Sequence, residues 1–517
     1  MAIKNIAIVG GGTAGWLAAN HLGTELSKID GITITLIESP DIPPIGVGEG
    51  TVPTIRESLK KFGISEGEFI RTCEVTFKQS IKFVNWMDED HHKNKYPDQE
   101  NAFHHLFDAP SPFGKDLSEH WLAQSQNNQT QKCYANFVSP QFNSCEKYKG
   151  PKTLDTPEFQ GAHGYAYHLN AAKFAQLLAK NAIEKFNVKH VLANVCEVEL
   201  AIDGEISALH TKESGRLEFD FFIDCTGFEG LLMEKALKVP FVSKSKELLV
   251  NKALVVQVPT EKDDEIPPFT IATAHQAGWI WDIALTNRRG VGLVYSDNHM
   301  SDKEASDKLD NYLGNNAKGL SYRTLSMRIG HSEKFWHKNC VVLGLAQGFL
   351  EPLEATSILL TDFAASFLAR KFPKNKADME VLAQRFNQVM DYAWLRVIDF
   401  IKLHYYLSDR RDSQFWLDNQ KDEVLTDSLK QRLELWHRFT PHPDDFFAQF
   451  EVFNVDNYLY LLYGMNYPTV INKPSCEESA LAIAHAEKVV RGAAYIEGKL
   501  PQHRDIINHI SRSVLSE

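Results

Sequence analysis

The turn near the N-terminus constrains the fold of this chain more than any other feature. Ile3–Val9 is a short run of mostly branched apolar residues, which predicts a buried strand of a parallel sheet. It leads into Gly10–Gly15 (GGGTAG), which fits the pattern GxGxxG, and Ala14–Leu26 continues with apolar residues at helical spacing. A second strand, Ile32–Ile37, ends at Glu38. Strand, helix, strand and acid together predict a dinucleotide-binding unit.

Each residue of this turn has a physical task. Gly10 permits the tight turn, Gly12 lets the backbone approach a pyrophosphate, and Gly15 allows the helix to pack closely on the strand. The helix N-terminus offers N–H groups to the phosphates, and Glu38 can accept hydrogen bonds from ribose hydroxyls. The predicted cofactor contacts of the turn are Gly10, Gly12, Thr13, Ala14 and Gly15. The turn alone does not distinguish NAD from FAD.

Composition restricts the class of protein. Of 517 residues, 67 are acidic and 55 basic, and the net charge of −12 is spread along the chain. This argues against a nucleic-acid surface, which needs a basic face. The seven cysteines form no CxxC pair, which favours reduced thiols in a cytoplasmic protein, and no metal site is predicted. No stretch approaches the ~18 apolar residues of a membrane span.

Two later segments favour FAD. Asp220–Asp224 reads as a buried strand followed by a Thr-Gly turn, a combination common in flavoproteins of the glutathione-reductase and hydroxylase type. Cys340–Leu343 reads as another strand, followed by a glycine-containing loop and by a segment expected to be helical from about Pro352. The predicted fold class is therefore α/β, with an FAD-binding GxGxxG flavoprotein module of this type.

Six further motifs occur in a fixed order along the chain. They are Gly46–Thr51 (GVGEGT), Thr76–Trp86, Gly164–Phe174, Gly278–Ile283, Gly348–Ile358 and Asp399–Trp416. In this order they resemble the flavin-dependent halogenases typified by tryptophan halogenase. The resemblance implies an oxidoreductase that takes FADH2 from a separate flavin reductase and uses O2 with chloride or bromide. The resulting hypohalous acid would leave the flavin through an internal tunnel and halogenate an aromatic substrate.

Lys78 matches the essential lysine of this family. The resemblance implies that its ammonium hydrogen-bonds the hypohalous oxygen, or that its neutral amine forms a haloamine, and both roles stay open. The alternative is a solvated lysine. The aromatic-rich, strand-like segment around Lys78 argues against that alternative, and the neighbouring Lys82 has no family role.

Glu354 matches the glutamate of the family's PLEST loop, which reads PLEAT here. The resemblance implies a carboxylate that stabilises the cationic ring intermediate, accepts its proton or binds an indole N–H. The alternative is a glutamate in the first turn of a helix, favoured there by the helix dipole. Glu351 is the second candidate for the catalytic role.

Thr356 and Ser357 match the two positions whose backbone N–H groups bind halide in the family. Serine departs from the usual glycine at the second position, which leaves the halide preference open. Trp279 and Trp281 match the WxWxIP motif, although Ala284 replaces its proline. Positions i and i+2 of a strand share a face, so the two indoles are expected to form one wall.

The resemblance also predicts a pocket for an indole-like substrate. His105 and Phe107 match the residues that cover one face of the indole, and Phe453 lies where the opposite face usually has a tryptophan. The residues that hold the amino acid backbone in tryptophan-specific members lack clear counterparts around 446–453. Buried amino and carboxylate groups need partners, which weakens the case for free tryptophan. An indole, a substituted aromatic and a larger partner-bound substrate all stay open, and an indole-like molecule is the preferred prediction.

The remaining expectations concern cofactor contacts and organisation. Four further residues match positions near FAD: Glu49, Val195, Leu345 and Ile358. Residues 1–86 and 159–370 are expected to form the FAD-binding module, and 87–158 a loop-rich insertion over the substrate site. Residues 371–517 are expected to form a mainly helical substrate-binding addition. A homodimer is left open.

Two other functions fit parts of the pattern. An aromatic hydroxylase of the same flavoprotein class would oxidise NAD(P)H itself and would not need Lys78. A non-catalytic flavin-binding relative would account for the departures at Ala284 and Ser357. Because Lys78 and Glu354 are both retained, the halogenase is the preferred hypothesis.

Overall fold

The computed structural model describes residues 2–42, 48–127, 129–130, 132–472 and 474–512, so Gly46 and Val47 of the GVGEGT motif lie outside the described residues. In chain order the strands are β1 (Asn5–Val9), β2 (Thr33–Glu38), β3 (Gly48–Gly50), β4 (Thr76–Lys78), β5 (Ser80–Val84), β6 (Ala102–Leu106), β7 (Ala166–Asn170), β8 (Lys189–Leu192), β9 (Val195–Leu200), β10 (Ile206–Thr211), β11 (Gly215–Glu218), β12 (Phe221–Asp224), β13 (Phe241–Ser243), β14 (Lys252–Pro259), β15 (Phe269–His275), β16 (Gly278–Ala284), β17 (Arg288–Tyr295), β18 (Arg323–Ser326), β19 (Gly330–Ser332), β20 (Trp336–His337), β21 (Cys340–Val342) and β22 (Gly348–Phe349). The helices are α1 (Thr13–Leu26), α2 (Ile55–Phe62), α3 (Glu66–Thr72), α4 (Glu89–Lys95), α5 (Ser118–Gln126), α6 (Tyr134–Val138), α7 (Gln141–Glu146), α8 (Ala171–Phe186), α9 (Asp302–Leu313), α10 (Thr356–Arg370), α11 (Met379–Leu407), α12 (Gln414–Asn419), α13 (Asp427–Arg438), α14 (Val455–Gly464), α15 (Cys476–Glu497) and α16 (His503–Arg512).

The chain divides into two compact units, each built from three separate stretches of sequence. Unit 1 comprises residues 1–74, 169–245 and 327–395. Unit 2 comprises residues 75–168, 246–326 and 396–517. The three-part organisation expected from the sequence stays a prediction.

Unit 1 contains a six-stranded sheet in the order β20-β21-β12-β1-β2-β8. Strand β1 pairs in parallel with β2 on one side and with β12 on the other, and β12 pairs in parallel with β21. Four of the five residues of β1 are buried, as expected for a strand in the middle of a parallel sheet. These observations confirm the α/β class and the parallel arrangement that the apolar runs predicted.

The strand that ends in Asp224 stabilises its own turn. The buried Asp224 carboxylate accepts hydrogen bonds from the N–H groups of Thr226 (3.0 Å), Leu232 (2.9 Å) and Met233 (2.8 Å). It also accepts one from the Thr226 hydroxyl at 2.6 Å. Because these donors neutralise the cost of burying the charge, the Asp and Thr-Gly motif has a structural role in this fold.

Unit 2 contains a seven-stranded mixed sheet in the order β18-β14-β17-β16-β15-β5-β6. Strands β14 to β17 pair in antiparallel fashion, whereas β5 pairs in parallel with β15 and antiparallel with β6. All seven residues of β16 are buried, so this strand is covered on both faces.

Helices occupy more of the polar segment 87–158 than its composition predicts. The segment contains strand β6 and the short helices α4, α5, α6 and α7, where loops were expected. Its polar residues act partly as caps: the Asp88 side chain accepts hydrogen bonds from the N–H groups of Asp90 and His91 at the start of α4. Helices α11 and α13 lie in residues 371–517, for which mainly helical structure was expected. Within the described part of the chain, no helix has both the length and the apolar character that a bilayer span requires.

Candidate functional site

The glycine turn of unit 1 has close contacts at two positions and open space at a third. Gly10 has φ +119°, and a Cβ built on it would lie 2.2 Å from the Cys225 carbonyl oxygen. A Cβ on Gly15 would lie 1.9 Å from the Gly10 carbonyl oxygen. By contrast, a Cβ on Gly12 would meet no atom of the described residues within 4 Å. Sterically, Gly10 and Gly15 are required by the protein itself, and Gly12 leaves room outside it.

The start of α1 is suited to an anion. The helix begins at Thr13, and Gly12 precedes it without a side-chain cap among the described residues. Its first turn has no acidic residue. The first N–H groups of the helix, including those of Thr13 and Ala14, therefore face outward at the positive end of the dipole.

Glu38 lies beside this turn, as the sequence predicted. It ends β2, and its carboxylate is 2.8 Å from Nε2 of His190 on β8. A Cβ built on Gly11 would lie 2.1 Å from Cδ of Glu38, so the carboxyl group lies directly over the turn. The structure thus brings Glu38 and the glycine turn together, which is the arrangement that a dinucleotide site requires.

Of the four further residues that match positions near FAD, Leu345 and Ile358 lie on elements close to the glycine turn. Leu345 is half-buried in a short 3-10 turn that follows β21. The neighbouring Gly344 has φ +65°, and a Cβ on it would lie 2.4 Å from Cβ of Ala14, which sets this turn against the start of α1. Ile358 is buried on α10, the helix that packs along α1.

Glu49 and Val195 have less distinctive surroundings. Glu49 is half-buried in β3, and desolvation raises the pKa of its carboxyl group to about 7. Val195 begins β9, where it packs against the apolar cluster beneath this strand. Val195 is half-buried at this position.

Glu354 lies in a strained loop just before α10. Helix α10 begins at Thr356, four residues later than the expected start near Pro352. Glu354 (φ +65°) and Ala355 (φ +55°) both have left-handed backbone conformations, which stop the helix from extending backward. Glu354 is therefore outside α10. The alternative of a glutamate in the first turn of this helix is wrong. Its side chain is buried, at 3% exposure.

Thr356 and Ser357 are the first two residues of α10. Among the described residues, no side chain caps this helix start, and its first turn has no acidic residue. Thr356 is buried, whereas the side chain of Ser357 is exposed. Two successive N–H groups at the start of a 15-residue helix form a suitable binding position for a monovalent anion.

In unit 2, Lys78 ends the short strand β4. This strand pairs with β7, where Lys78 is opposite Ala166. Lys78 has 0% exposure, and its Nζ lies 5.3 Å from the ring centroid of Phe107. A lysine is almost never fully buried, so the alternative of a solvated lysine is wrong. The contact with Phe107 has the geometry of a cation–π interaction.

The backbone next to Lys78 is held by His503, which the sequence did not single out. Nε2 of His503 accepts a hydrogen bond from the N–H of Phe77 (3.0 Å), and Nδ1 donates one to the Ile266 carbonyl (2.9 Å). Burial lowers the pKa of His503 to about 4, which keeps the ring neutral and able to accept. Because His503 is distant in sequence from the residues it joins, no local pattern indicates this role.

The predicted substrate residues fall into two groups in unit 2. His105 and Phe453 are buried against the same ring, that of Phe400, with centroid distances of 5.7 Å and 3.9 Å. Nε2 of His105 also accepts a hydrogen bond from the Asn457 amide at 2.9 Å. Phe107 is instead half-buried beside Lys78. Phe107 therefore lies next to Lys78, whereas the ring of Phe453 is stacked on that of Phe400.

Trp279 and Trp281 lie side by side on β16, as their spacing predicted. Their ring centroids are 6.2 Å apart with an interplanar angle of 58°. On the neighbouring strand, Gly292 faces Trp281, and a Cβ there would lie 2.0 Å from the indole. The glycine therefore provides the space for this indole, a requirement that only the strand register reveals.

Comparison with known proteins decides the family. The sequence profile described as tryptophan halogenase matches residues 5–480. The chain belongs to the tryptophan halogenase family. A tryptophan 6-halogenase of Streptomyces albogriseolus is 34% identical over 98% of both chains. A tryptophan 7-halogenase of Lentzea aerocolonigenes is 32% identical over 94% of this chain and 95% of that one.

Solved structures agree with this assignment. The crystal structure of a tryptophan halogenase from Shewanella frigidimarina superposes on this halogenase with a TM-score of 0.93 at 36% identity, covering 99% and 98% of the two chains. A tryptophan C-6 flavin-dependent halogenase from taromycin biosynthesis gives a TM-score of 0.89 at 33% identity, covering 99% of this chain and all of the other. The protein is a flavin-dependent halogenase, an oxidoreductase that uses FAD and halide. The comparisons do not support the aromatic hydroxylase alternative.

The glycine turn of the halogenase fits FAD and gives a direct test of this fit. We expect Gly12→Ala to leave the melting temperature unchanged, because the added methyl group meets no atom of the described residues and the backbone at Gly12 (φ −78°) suits alanine. The same change should weaken FAD binding by about tenfold or more, since the methyl group occupies the approach of the pyrophosphate. Flavin fluorescence titration and thermal unfolding measure the two effects.

Gly15→Ala is the matched control for this prediction. Its methyl group would clash with the Gly10 carbonyl, so we expect a lower melting temperature even without FAD. Equal FAD affinity in the wild type and Gly12→Ala would contradict a pyrophosphate at this turn.

Proposed function

We propose that this halogenase transfers an electrophilic halogen to an indole-like aromatic molecule, with Lys78 and Glu354 as its catalytic residues. The complete burial of Lys78 carries the proposal. A buried ammonium or amine loses its hydration, which an ordinary structural position does not require. This desolvation cost is typical of a catalytic lysine.

FAD would be held mainly by the glycine turn and the acid after β2. The proposed contacts are Gly10, Gly12, Thr13, Ala14, Gly15, Glu38, Glu49, Val195, Leu345 and Ile358. Bound as FADH2 from a separate flavin reductase, the cofactor would supply two electrons and the halide two more, which reduces O2 to one molecule of water and one of hypohalous acid. The seven cysteines are all free thiols, which suits the cytoplasm, where NADH-dependent reductases operate.

The backbone N–H groups of Thr356 and Ser357 are the proposed halide contacts. The positive end of the α10 dipole and the lack of a side-chain cap in the described residues support this role. Ser357 is exposed and also lines a small cavity at this helix start.

Lys78 would activate the halogen. As an ammonium, it donates a hydrogen bond and then a proton to the hypohalous oxygen, which leaves as water when the oxygen–halogen bond breaks. As a neutral amine, it attacks the halogen to form a haloamine, and the displaced hydroxide leaves as water with the proton that the amine loses. The haloamine then passes the halogen to the ring and regains a proton on nitrogen. In both cases the electron pair of a ring carbon forms the new carbon–halogen bond.

Glu354 would accept the proton that the ring carbon loses. The left-handed conformations at Glu354 and Ala355 each cost about 1–3 kcal/mol, and such strain is concentrated at functional sites. The strained loop holds the carboxylate outside α10, where it can stabilise the positive charge that develops on the ring.

An indole-like substrate is favoured over free tryptophan by residues already engaged within unit 2. The relatives named above are tryptophan halogenases, so an indole ring is the shared element of their substrates. Glu451, the acid in the region expected to hold an amino acid, is ion-paired with Arg432 at 2.8 Å. Phe453 is stacked on Phe400. Both residues thus contact other side chains of unit 2, which favours a substrate without a free ammonium group.

The test compares free indole with free tryptophan. Protein, FAD, a flavin reductase, NADH, O2 and bromide are incubated with each, and products are identified by mass spectrometry. We expect bromoindole to form at a higher kcat/KM than bromotryptophan. A clear preference for tryptophan would contradict the proposed substrate class.

A further inference from the structure

A small cavity lies at the start of α10 in unit 1. The cavity volume is about 10 Å³, which is room for one water-sized species. The polar side chains among its lining residues are Gln347, Thr356, Ser357, Thr361 and Trp394. The cavity therefore adjoins the two residues proposed to bind halide through their backbone.

Two buried donors of this lining have no partner within the described residues. They are Nε2 of Gln347 and Nε1 of Trp394, and the two residues are 1% and 2% exposed. Buried N–H groups in proteins are almost always hydrogen-bonded, so two such groups around one cavity indicate a missing acceptor. Gln347 and Trp394 come from the loop after β21 and from α11, and their convergence depends on the fold.

The lining favours an anion over a neutral molecule. It offers amide and indole N–H donors and the positive end of the α10 dipole, and none of the described lining residues is an aspartate or glutamate. The hydroxyl of Thr361 donates to the Ser357 carbonyl at 2.9 Å, so that acceptor is already occupied. A water molecule needs acceptors as well as donors, whereas a halide needs donors alone.

The indole of Trp394 is fixed in place. A Cβ on Gly348 would lie 2.6 Å from its Cη2, so glycine at this position allows the ring to approach the loop. The rings of His331 and Phe335 pack against it, with centroids at 5.3 Å and 6.1 Å. A donor held in this way is preorganised for its ligand.

We propose that Gln347 and Trp394 are side-chain ligands of the halide and set the affinity of this enzyme for it. This inference rests on the proposed function, in which the halide is a co-substrate held near Thr356 and Ser357. It adds two side-chain donors to the backbone contacts.

The direct test is crystallography of the FAD-loaded enzyme soaked in bromide. We expect an anomalous bromine peak in the cavity, within hydrogen-bonding reach of Gln347 Nε2 and Trp394 Nε1. An ordered water only, or a bromide bound away from both side chains, would overturn the proposal. This readout does not need turnover, so a protein that halogenates no substrate tests the proposed function separately.

Variants give a second readout in solution. Gln347→Leu removes one donor with little change of shape, and Trp394→Phe removes one donor but keeps an aromatic ring. Each should raise the half-saturating bromide concentration by about tenfold. The concentration is read from the bromide-dependent change in FAD absorbance. Trp336→Phe is the control, since this buried indole donates to the Lys338 carbonyl (2.9 Å) and does not line the cavity. Unchanged bromide affinity in folded Gln347→Leu would overturn the proposal even if Trp394→Phe failed to fold.

Discussion

Replacing Lys78 with alanine should abolish halogenation while FAD binding stays intact. Lys78 is fully buried beside Phe107 in unit 2, whereas the residues proposed to hold FAD are in unit 1. Loss of a positioned proton donor or nucleophile lowers kcat by about 10²–10⁴-fold. Single-turnover bromination of indole, together with flavin fluorescence, measures both quantities.

Lys82→Ala is the matched control for this prediction. Lys82 is on β5, the next strand along the chain, and its ammonium is ion-paired with Glu100 and Glu146, each at 2.8 Å. Its removal should leave kcat within about twofold of the wild type, since partly exposed ion pairs contribute little. Unchanged turnover in Lys78→Ala would contradict the mechanism, and equal losses in both variants would indicate a structural effect.

Replacing Glu354 with glutamine should lower kcat by about 10²-fold with a small change in KM. Glutamine preserves the volume of the side chain and removes the negative charge that stabilises the ring cation and accepts its proton. The expected result is a slow chemical step with normal substrate binding. Single-turnover kinetics over a range of indole concentrations up to saturation separate the rate of the chemical step from substrate binding.

Glu351→Gln is the comparison for this second prediction. Glu351 is buried in the same loop, at 1% exposure, so the two variants share burial and differ in proposed role. We expect Glu351→Gln to retain most of its kcat. A larger loss at Glu351 than at Glu354 would reassign the catalytic carboxylate to the residue that was the second candidate.

The features predicted correctly from the sequence are those determined by local patterns. The apolar run before Gly10 is β1, the helical spacing after it is α1, and the strand that ends at Glu38 is β2. Each of these segments has an apolar pattern that matches one type of element: a continuous apolar run for a buried strand, and a spacing of three to four residues for a helix. The spacing of Trp279 and Trp281 likewise places both indoles on one face of β16.

The features missed depend on contacts between residues far apart in sequence. The helix expected from about Pro352 begins at Thr356, because Glu354 and Ala355 are left-handed, which no residue preference predicts for glutamate. His503 accepts a hydrogen bond from Phe77, although a long stretch of chain separates them. Tertiary structure brings these groups together, and it therefore determines the parts of the site that composition and spacing leave open.

The measurement that tests the central claim most directly is the bromide dependence of product formation from indole. The reaction contains the purified protein, FAD, a flavin reductase, NADH and O2, and it is read by mass spectrometry. We predict a product with the paired signals of the two bromine isotopes, formed only when bromide and the reductase are both present. Hydroxylated indole formed without bromide, with NADH oxidised by the protein alone, would contradict the account.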